Sequence, residues 1–255
     1  MKYRIVLATL VSILSLAACQ FATQTPTPTA VPPTTTLEAT ATPKPTSTLT
    51  PTVAPTPTLS ILRPATRLLT ENFSKWDGRG YDIYRGDWNV VNDGTGNRVL
   101  ETISDPNAGS DKWPEIGFGD PNWRDYTIDF RYRVLEYDKH AEGAGLVFLE
   151  FRHGPQAVYI LTLSASSGWV ALVYGTAKGW ADIDAPGASA VFPVDLRAWH
   201  TIHVEAYQYH ITASVDKTPV IDVIDSRVKK GAISLGIGSG TTIQFDDFEL
   251  TALLP

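Results

Sequence analysis

Residues 199–216 read W-H-T-I-H-V-E-A-Y-Q-Y-H-I-T-A-S-V-D, and this stretch restricts the fold more than any other. Ile202, Val204 and Ala206 alternate with Thr201, His203, Glu205 and Tyr207. After a short break, Ile211, Ala213 and Val215 alternate with Thr212, Ser214 and Asp216. A period of two sends one set of side chains to a core and the other to water, as in an antiparallel sheet. The spacing therefore predicts a hairpin, with residues 220–225 as a third strand. Helix signals are nearly absent from the chain, while Gly, Thr, Val, Ile, Trp and Tyr are frequent, so the expectation of strands extends to the whole folded part.

Other segments repeat the pattern. In residues 125–136, Tyr126, Ile128, Phe130, Tyr132 and Val134 fall on one face and Thr127, Asp129, Arg131, Arg133 and Leu135 on the other. Residues 143–152 carry apolar side chains on both faces, which predicts a central strand covered on both sides. Residues 87–91 and 98–104 flank the turn-forming run N-D-G-T-G-N. Residues 157–164 and 169–174 form a second hairpin, residues 231–238 a glycine-punctuated strand, and residues 175–189 a long loop. In the last strand, 241–251, Ile243 and Phe245 have the opposite parity to Phe248 and Leu250. One extra residue at Asp246-Asp247, a β-bulge, would bring all four to the core.

The first sixty residues do not belong to this pattern. Lys2 and Arg4 precede an apolar run, 5–16, too short to span a bilayer. It ends in Leu16-Ala17-Ala18-Cys19, which resembles a bacterial lipobox. That resemblance implies a signal segment, 1–19, cleaved before a Cys19 that carries diacylglycerol, and so an extracytoplasmic protein anchored to the membrane by lipid. Cys19 is the only cysteine, so the chain forms no intrachain disulfide and its folded part must be held by its core. Residues 20–60 are a Thr/Pro-rich linker in which proline excludes helix and sheet. Extended at ~3.1 Å per residue, it would hold the domain, 61–255, up to ~120 Å from its anchor. The net charge of −6 includes no basic block, which argues against a nucleic-acid partner.

The motif W-H-x-I-x-V-E…I-x-A-x-V-D, the opening E-N-F followed by W-D-G, and the closing F-D-D-F-E-L resemble concanavalin A-like and laminin-G-like jelly rolls. Within that group they are similar to the 3-keto-disaccharide hydrolase-like domain. The resemblance implies an all-β, two-sheet antiparallel jelly-roll sandwich whose concave face often receives carbohydrate. Three functions follow from it: a non-catalytic carbohydrate-binding module, a glycoside hydrolase acting on disaccharides or their 3-keto forms, and a protein-binding adhesion or scaffold module. The E-x-D-x-E type of motif, which sets two catalytic carboxylates on one strand, is missing, and this weighs against the hydrolase.

Three groups of candidate site residues emerge. On the polar face of 125–136, Asp129, Arg131 and Arg133 project together, and Glu150 and Arg152 are expected across from them; carboxylates and guanidinium groups suit sugar hydroxyls. Trp76, Tyr81, Tyr84, Trp113, Trp123 and Trp180 fall in stretches read as loops, with Trp113 and Trp180 the best stacking platforms for a sugar. Trp88, Trp169 and Trp199 are expected in the core. Asp246 or Asp247, with Glu71 or Asn72, could hold a structural Ca²⁺ that ties the first segment of the domain to the last strand, as jelly rolls often do. The five histidines show no metal-ligand spacing beyond His200-x-x-His203, which would point to opposite faces of a strand, and they read as structural or solvent-exposed.

Overall fold

The computed structural model describes residues 65–254. The apolar leader, Cys19, the Thr/Pro linker, residues 61–64 and residue 255 lie outside the described residues. Among the described residues, sixteen strands and one 3₁₀ turn, Ser110–Lys112, follow one another. The first eight strands are β1 (Ala65–Glu71), β2 (Tyr81–Arg85), β3 (Trp88–Asn92), β4 (Arg98–Ile103), β5 (Glu115–Phe118), β6 (Tyr126–Tyr137), β7 (Leu146–His153) and β8 (Ala157–Ser164). The rest are β9 (Trp169–Thr176), β10 (Gly179–Asp182), β11 (Ser189–Val191), β12 (His200–Tyr207), β13 (His210–Val215), β14 (Thr218–Ile224), β15 (Ala232–Ile237) and β16 (Thr241–Leu253).

They form two eight-stranded sheets. Sheet A has the order β14-β13-β12-β6-β16-β4-β3, with β1 also on β16; sheet B has the order β10-β9-β8-β7-β15-β5-β2, with β11 also on β9. All pairings are antiparallel. Alternation aims the expected residues inward: Tyr126, Ile128, Phe130, Tyr132 and Val134 of β6 share one core with Val147, Leu149 and Phe151 of β7 and Ile233, Leu235 and Ile237 of β15. Each such side chain contributes about 1.5–3 kcal/mol on burial, which fixes the register of every central strand.

The bulge in β16 lies where parity requires it. Asp246 pairs with Arg131 but Glu249 pairs with Asp129, and Asp247 takes up the extra residue at φ 51°. Phe245 and Phe248 consequently both reach the core, where Phe248 stacks on Phe130 with centroids 5.0 Å apart. Phe248 also meets Phe118 of sheet B edge-on at 5.7 Å, joining the layers.

Two strands occupy stretches read as loop. Tyr81 and Tyr84 lie on β2, and Trp180 lies on β10. These are the two ends of sheet B, and nearly all their side chains are exposed. An edge strand with no buried face has no hydrophobic period to read.

Candidate functional site

On the outer face of sheet A, Asp129, Arg131 and Arg133 do project together, and each is engaged within the sheet. Asp129 Oδ1 is 2.7 Å from His203 Nδ1. Arg131 donates to Asp246 Oδ2 at 2.5 Å and pairs with Asp247 at 2.8 Å. Arg133 donates to Gln244 Oε1 at 2.7 Å and to the Asp93 carbonyl at 3.1 Å. Both guanidinium groups lie over the Trp199 ring, 4.5 and 4.7 Å from its centroid, so Trp199 belongs to this half-buried ladder and not to the core.

Glu150 and Arg152 do not lie across from these residues. They stand on β7, in the other sheet. Arg152 has left the outward parity of Phe148 and Glu150: at φ 50° it turns inward and is fully buried. It donates to the carbonyls of Arg124, Gln208 and Val228 and to Asp125 Oδ1, and its own N–H donates to the Tyr126 hydroxyl. Arg152 thus fastens β7 to the start of β6 and to two loops, which is an architectural role.

The four residues considered for Ca²⁺ are engaged locally. Buried Asp246 accepts hydrogen bonds from Arg131, from Asn97 Nδ2 at 2.7 Å and from the Asp247 N–H at 2.8 Å. Glu71 Oε1 accepts the Phe73 N–H, and Asn72 Oδ1 accepts the N–H and hydroxyl of Ser74. Arg131 is the cationic partner of the Asp246 carboxylate.

The outer face of sheet B differs in kind. Val158, Ile160, Ala171, Val173 and Phe148 form a second apolar cluster there, capped by Trp113. Gly236 and Gly117 make room for rings to lie against the backbone: a Cβ on Gly236 would fall 2.0 Å from the Phe148 ring, and one on Gly117 would fall 2.5 Å from Tyr84. Trp113, expected as an exposed platform, is buried, and its Nε1 donates to Ser239 Oγ at 2.7 Å. Trp180 is 49% exposed and meets Trp113 and Phe148 edge-on at 6.4 and 5.9 Å. Of the other aromatics read as loop residues, Trp76, Tyr81 and Trp123 pack against the main core, and Tyr84 is half exposed. Trp88 is buried as expected, whereas Trp169 is exposed at the edge of its hairpin.

Beside this aromatic set is a hollow of about 780 Å³, lined by Arg85, Asp111, Trp113, Glu142, Phe148, Glu150 and Trp180 among others. An adjoining hollow of about 290 Å³ shares Glu150 and Trp180 and adds Glu115, His153 and Val158. The larger volume is in the range of small-molecule sites. Polar groups converge between the two hollows. Ser234 Oγ lies 2.9 Å from Glu115 Oε1 and 3.2 Å from Glu150 Oε2. Arg85 bridges Glu115 and also donates to the Trp113 carbonyl at 3.0 Å. His153 Nδ1 is 2.9 Å from Glu150 Oε2. Burial and the neighbouring Glu150 push the Glu115 carboxyl above its ordinary value, and the hydrogen bond to Glu150 pushes His153 up. An apolar wall with a few fixed charges and donors can orient a polyhydroxylated ring: hydroxyls would meet carboxylates and Arg85, and a C–H face would meet the exposed Trp180 indole.

Sequence reasoning identified Trp180, Trp113 and Glu150 in this region and missed Glu115, His153, Ser234 and Arg85. Glu115 and Glu150 stand on different strands with β15 between them, so no spacing motif joins them. A weak signal was present: Glu115, Glu150 and Ser234 are polar residues at positions in otherwise apolar strands.

No family model and no curated protein matches the chain. Solved structures do match in fold. The carbohydrate-binding module CBM66 from Bacillus subtilis superposes with a TM-score of 0.53 at 19% identity, covering 66% of this chain and 93% of that one. A cellulose-induced protein, Cip1, matches at 0.51 and 13%, covering 72% and 96%. SCLam, a non-specific endo-β-1,3(4)-glucanase of family GH16, matches at 0.51 and 10%, covering 76% and 94%. The fold is a concanavalin A-like jelly roll.

Proposed function

We propose that the chain is a carbohydrate-binding module carried outside the cell on a lipid-anchored stalk. The observation that carries the reading is the outer face of sheet B, where Trp180, exposed over Trp113 and Phe148, borders a hollow floored by Glu150 and flanked by Arg85. The likeness in fold to a carbohydrate-binding module supports it. The anchor rests on the Leu16–Cys19 sequence and the reach on the Thr/Pro linker; among the described residues no helix is long and apolar enough to cross a membrane.

A glycan array probed with the purified chain is expected to give binding that Trp180→Ala weakens about tenfold or more and Arg131→Ala leaves within about twofold. Silence on every glycan would favour a protein partner. The carboxylates of Glu115 and Glu150, close neighbours across Ser234, are the observation that favours a hydrolase. Product release from a panel of glycosides and 3-keto-glycosides, abolished by Glu150→Gln, would replace the binding reading with that one. Metabolic labelling with a fatty acid tests the anchor: label lost in Cys19→Ser supports it, and label absent from the unaltered chain refutes it.

A further inference from the structure

We propose that Glu115, Glu150 and His153 form a binding site for one divalent transition-metal ion of the zinc or manganese kind. One ligand atom from each, two carboxylate oxygens and an imidazole nitrogen, lie within 4.8 Å of one another. They come from β5 and from the end of β7, and the backbone is shaped to bring them together. In a regular strand, residues 150 and 153 would face opposite sides. Here Arg152 sits at φ 50°, and the register with β15 slips between Ala232 and Ser234. The irregularity turns His153 to the side of Glu150, 2.9 Å from its Oε2.

The charges also leave room for a cation. Glu115 and Glu150 are buried like charges that face the same hydroxyl, and Ser234 has one proton for the two of them. The remaining positive partner of Glu115 is Arg85, whose side chain is 40% exposed on the edge strand β2 and also donates to the Trp113 carbonyl, so a bound ion would compete with it for Glu115. Donors on one zinc ion stand roughly 3.4 Å apart, given bonds of about 2.1 Å, so the present span closes with small side-chain movements. Two oxygens and an imidazole suit zinc or manganese, whereas Ca²⁺ requires six to eight oxygens. Three protein ligands leave coordination positions open toward the hollow of about 290 Å³, where water or a ligand's hydroxyl groups would complete the shell. The inference stands whether or not the occupant of the groove is a glycan.

The test is calorimetric titration of the full chain, in detergent, with Zn²⁺ and separately with Mn²⁺. One ion is expected to bind with a Kd of about 10 µM or below, and the bound ion should raise Tm. Glu150→Gln and His153→Ala are each expected to weaken binding at least about tenfold. Arg85→Gln, which removes the competing cation, should strengthen it. Absence of binding by either ion overturns the proposal. So does binding that survives both Glu150→Gln and His153→Ala, which would place the ion at Cys19 or at other histidines. Arg85→Gln keeps the test readable if either of those variants fails to fold, because unchanged or weaker affinity in it also overturns the proposal.

Discussion

The two outer faces of the sandwich are built by the same rule and reach different ends. On sheet A the outward positions of β6 and β12 are mainly Thr, Asp, Arg, His and Glu, with Leu135 and Tyr207 at the strand ends, and polar ones pair across strands: Asp129 with His203, Arg131 with Asp246, Arg133 with Gln244. Their polar groups satisfy one another beside water, and such pairs are worth little individually. On sheet B the outward positions are mostly apolar or glycine, so polar ones such as Glu115, Glu150 and Ser234 are sunk among hydrocarbon and rings. A charge placed there costs free energy unless something meets it, and burial accordingly raises the Glu115 carboxyl, which borders the smaller hollow of this face. Where alternation runs cleanly from buried to polar, the outer face is a ladder of paired polar groups; where it runs from buried to buried, the outer face is a second apolar cluster.

The comparison breaks most severely at Arg152, which parity assigns to the outer face of sheet B and the backbone turns inward. Arg152→Ala is expected to destabilise the fold by about 3–5 kcal/mol, because three carbonyls and Asp125 lose their buried donor. Denaturant titration measures this. A variant that keeps its stability but loses ligand affinity would return Arg152 to the binding residues.

A smaller effect sharpens the same contrast. Gly236→Ala places a methyl 2.0 Å from the Phe148 ring, forcing that ring out toward Trp113 and Trp180. The expected cost is about 1–3 kcal/mol of overpacking, accompanied by weaker glycan binding. Unchanged stability and affinity would mean that Phe148 has room to move and does not define the wall of the hollow.

Much of the fold was legible because burial writes a period into the sequence. β6, β12 and β13 could be read residue by residue, and the bulge at Asp247 followed from the opposite parities of Phe245 and Phe248. β2 and β10 were not legible, since edge strands with exposed side chains carry no period. The candidate site was half legible for a related reason. Trp180 and Glu150 stood out as residue types, but their meeting with Glu115, Ser234 and Arg85 depends on strand order, β7-β15-β5-β2, and order is a long-range property that no local pattern encodes. The expectation that Glu150 faces Arg131 failed at this step: both are outward residues, but of different sheets.

The smallest effect, and the one that separates the faces most finely, is the dependence of stability on pH. His203 on sheet A and His153 and Glu115 on sheet B all hold their protons more tightly when folded than their ordinary values of 6.5, 6.5 and 4.5 imply. His203 is raised first by its hydrogen bond to Asp129, His153 first by Glu150, and Glu115 first by burial. For a group with a raised folded value, the contribution to stability is fully present below its unfolded value and is lost as pH rises through the folded one. Stability should therefore increase as pH falls from about 8 to about 6, through both histidines, and Glu115 should keep adding to it further toward about 4.5. Denaturation midpoints across that range provide the measurement. His203→Gln should remove only the sheet A share near neutrality, His153→Gln the other share, and Glu115→Gln the acidic part of the slope. The exposed ladder of sheet A is screened by solvent and salt, so its share should shrink in high salt more than that of the buried pair. A slope carried entirely by His203, with none lost in Glu115→Gln, would mean that the carboxylates of sheet B are as well solvated as those of sheet A, and the distinction between the two faces would fall.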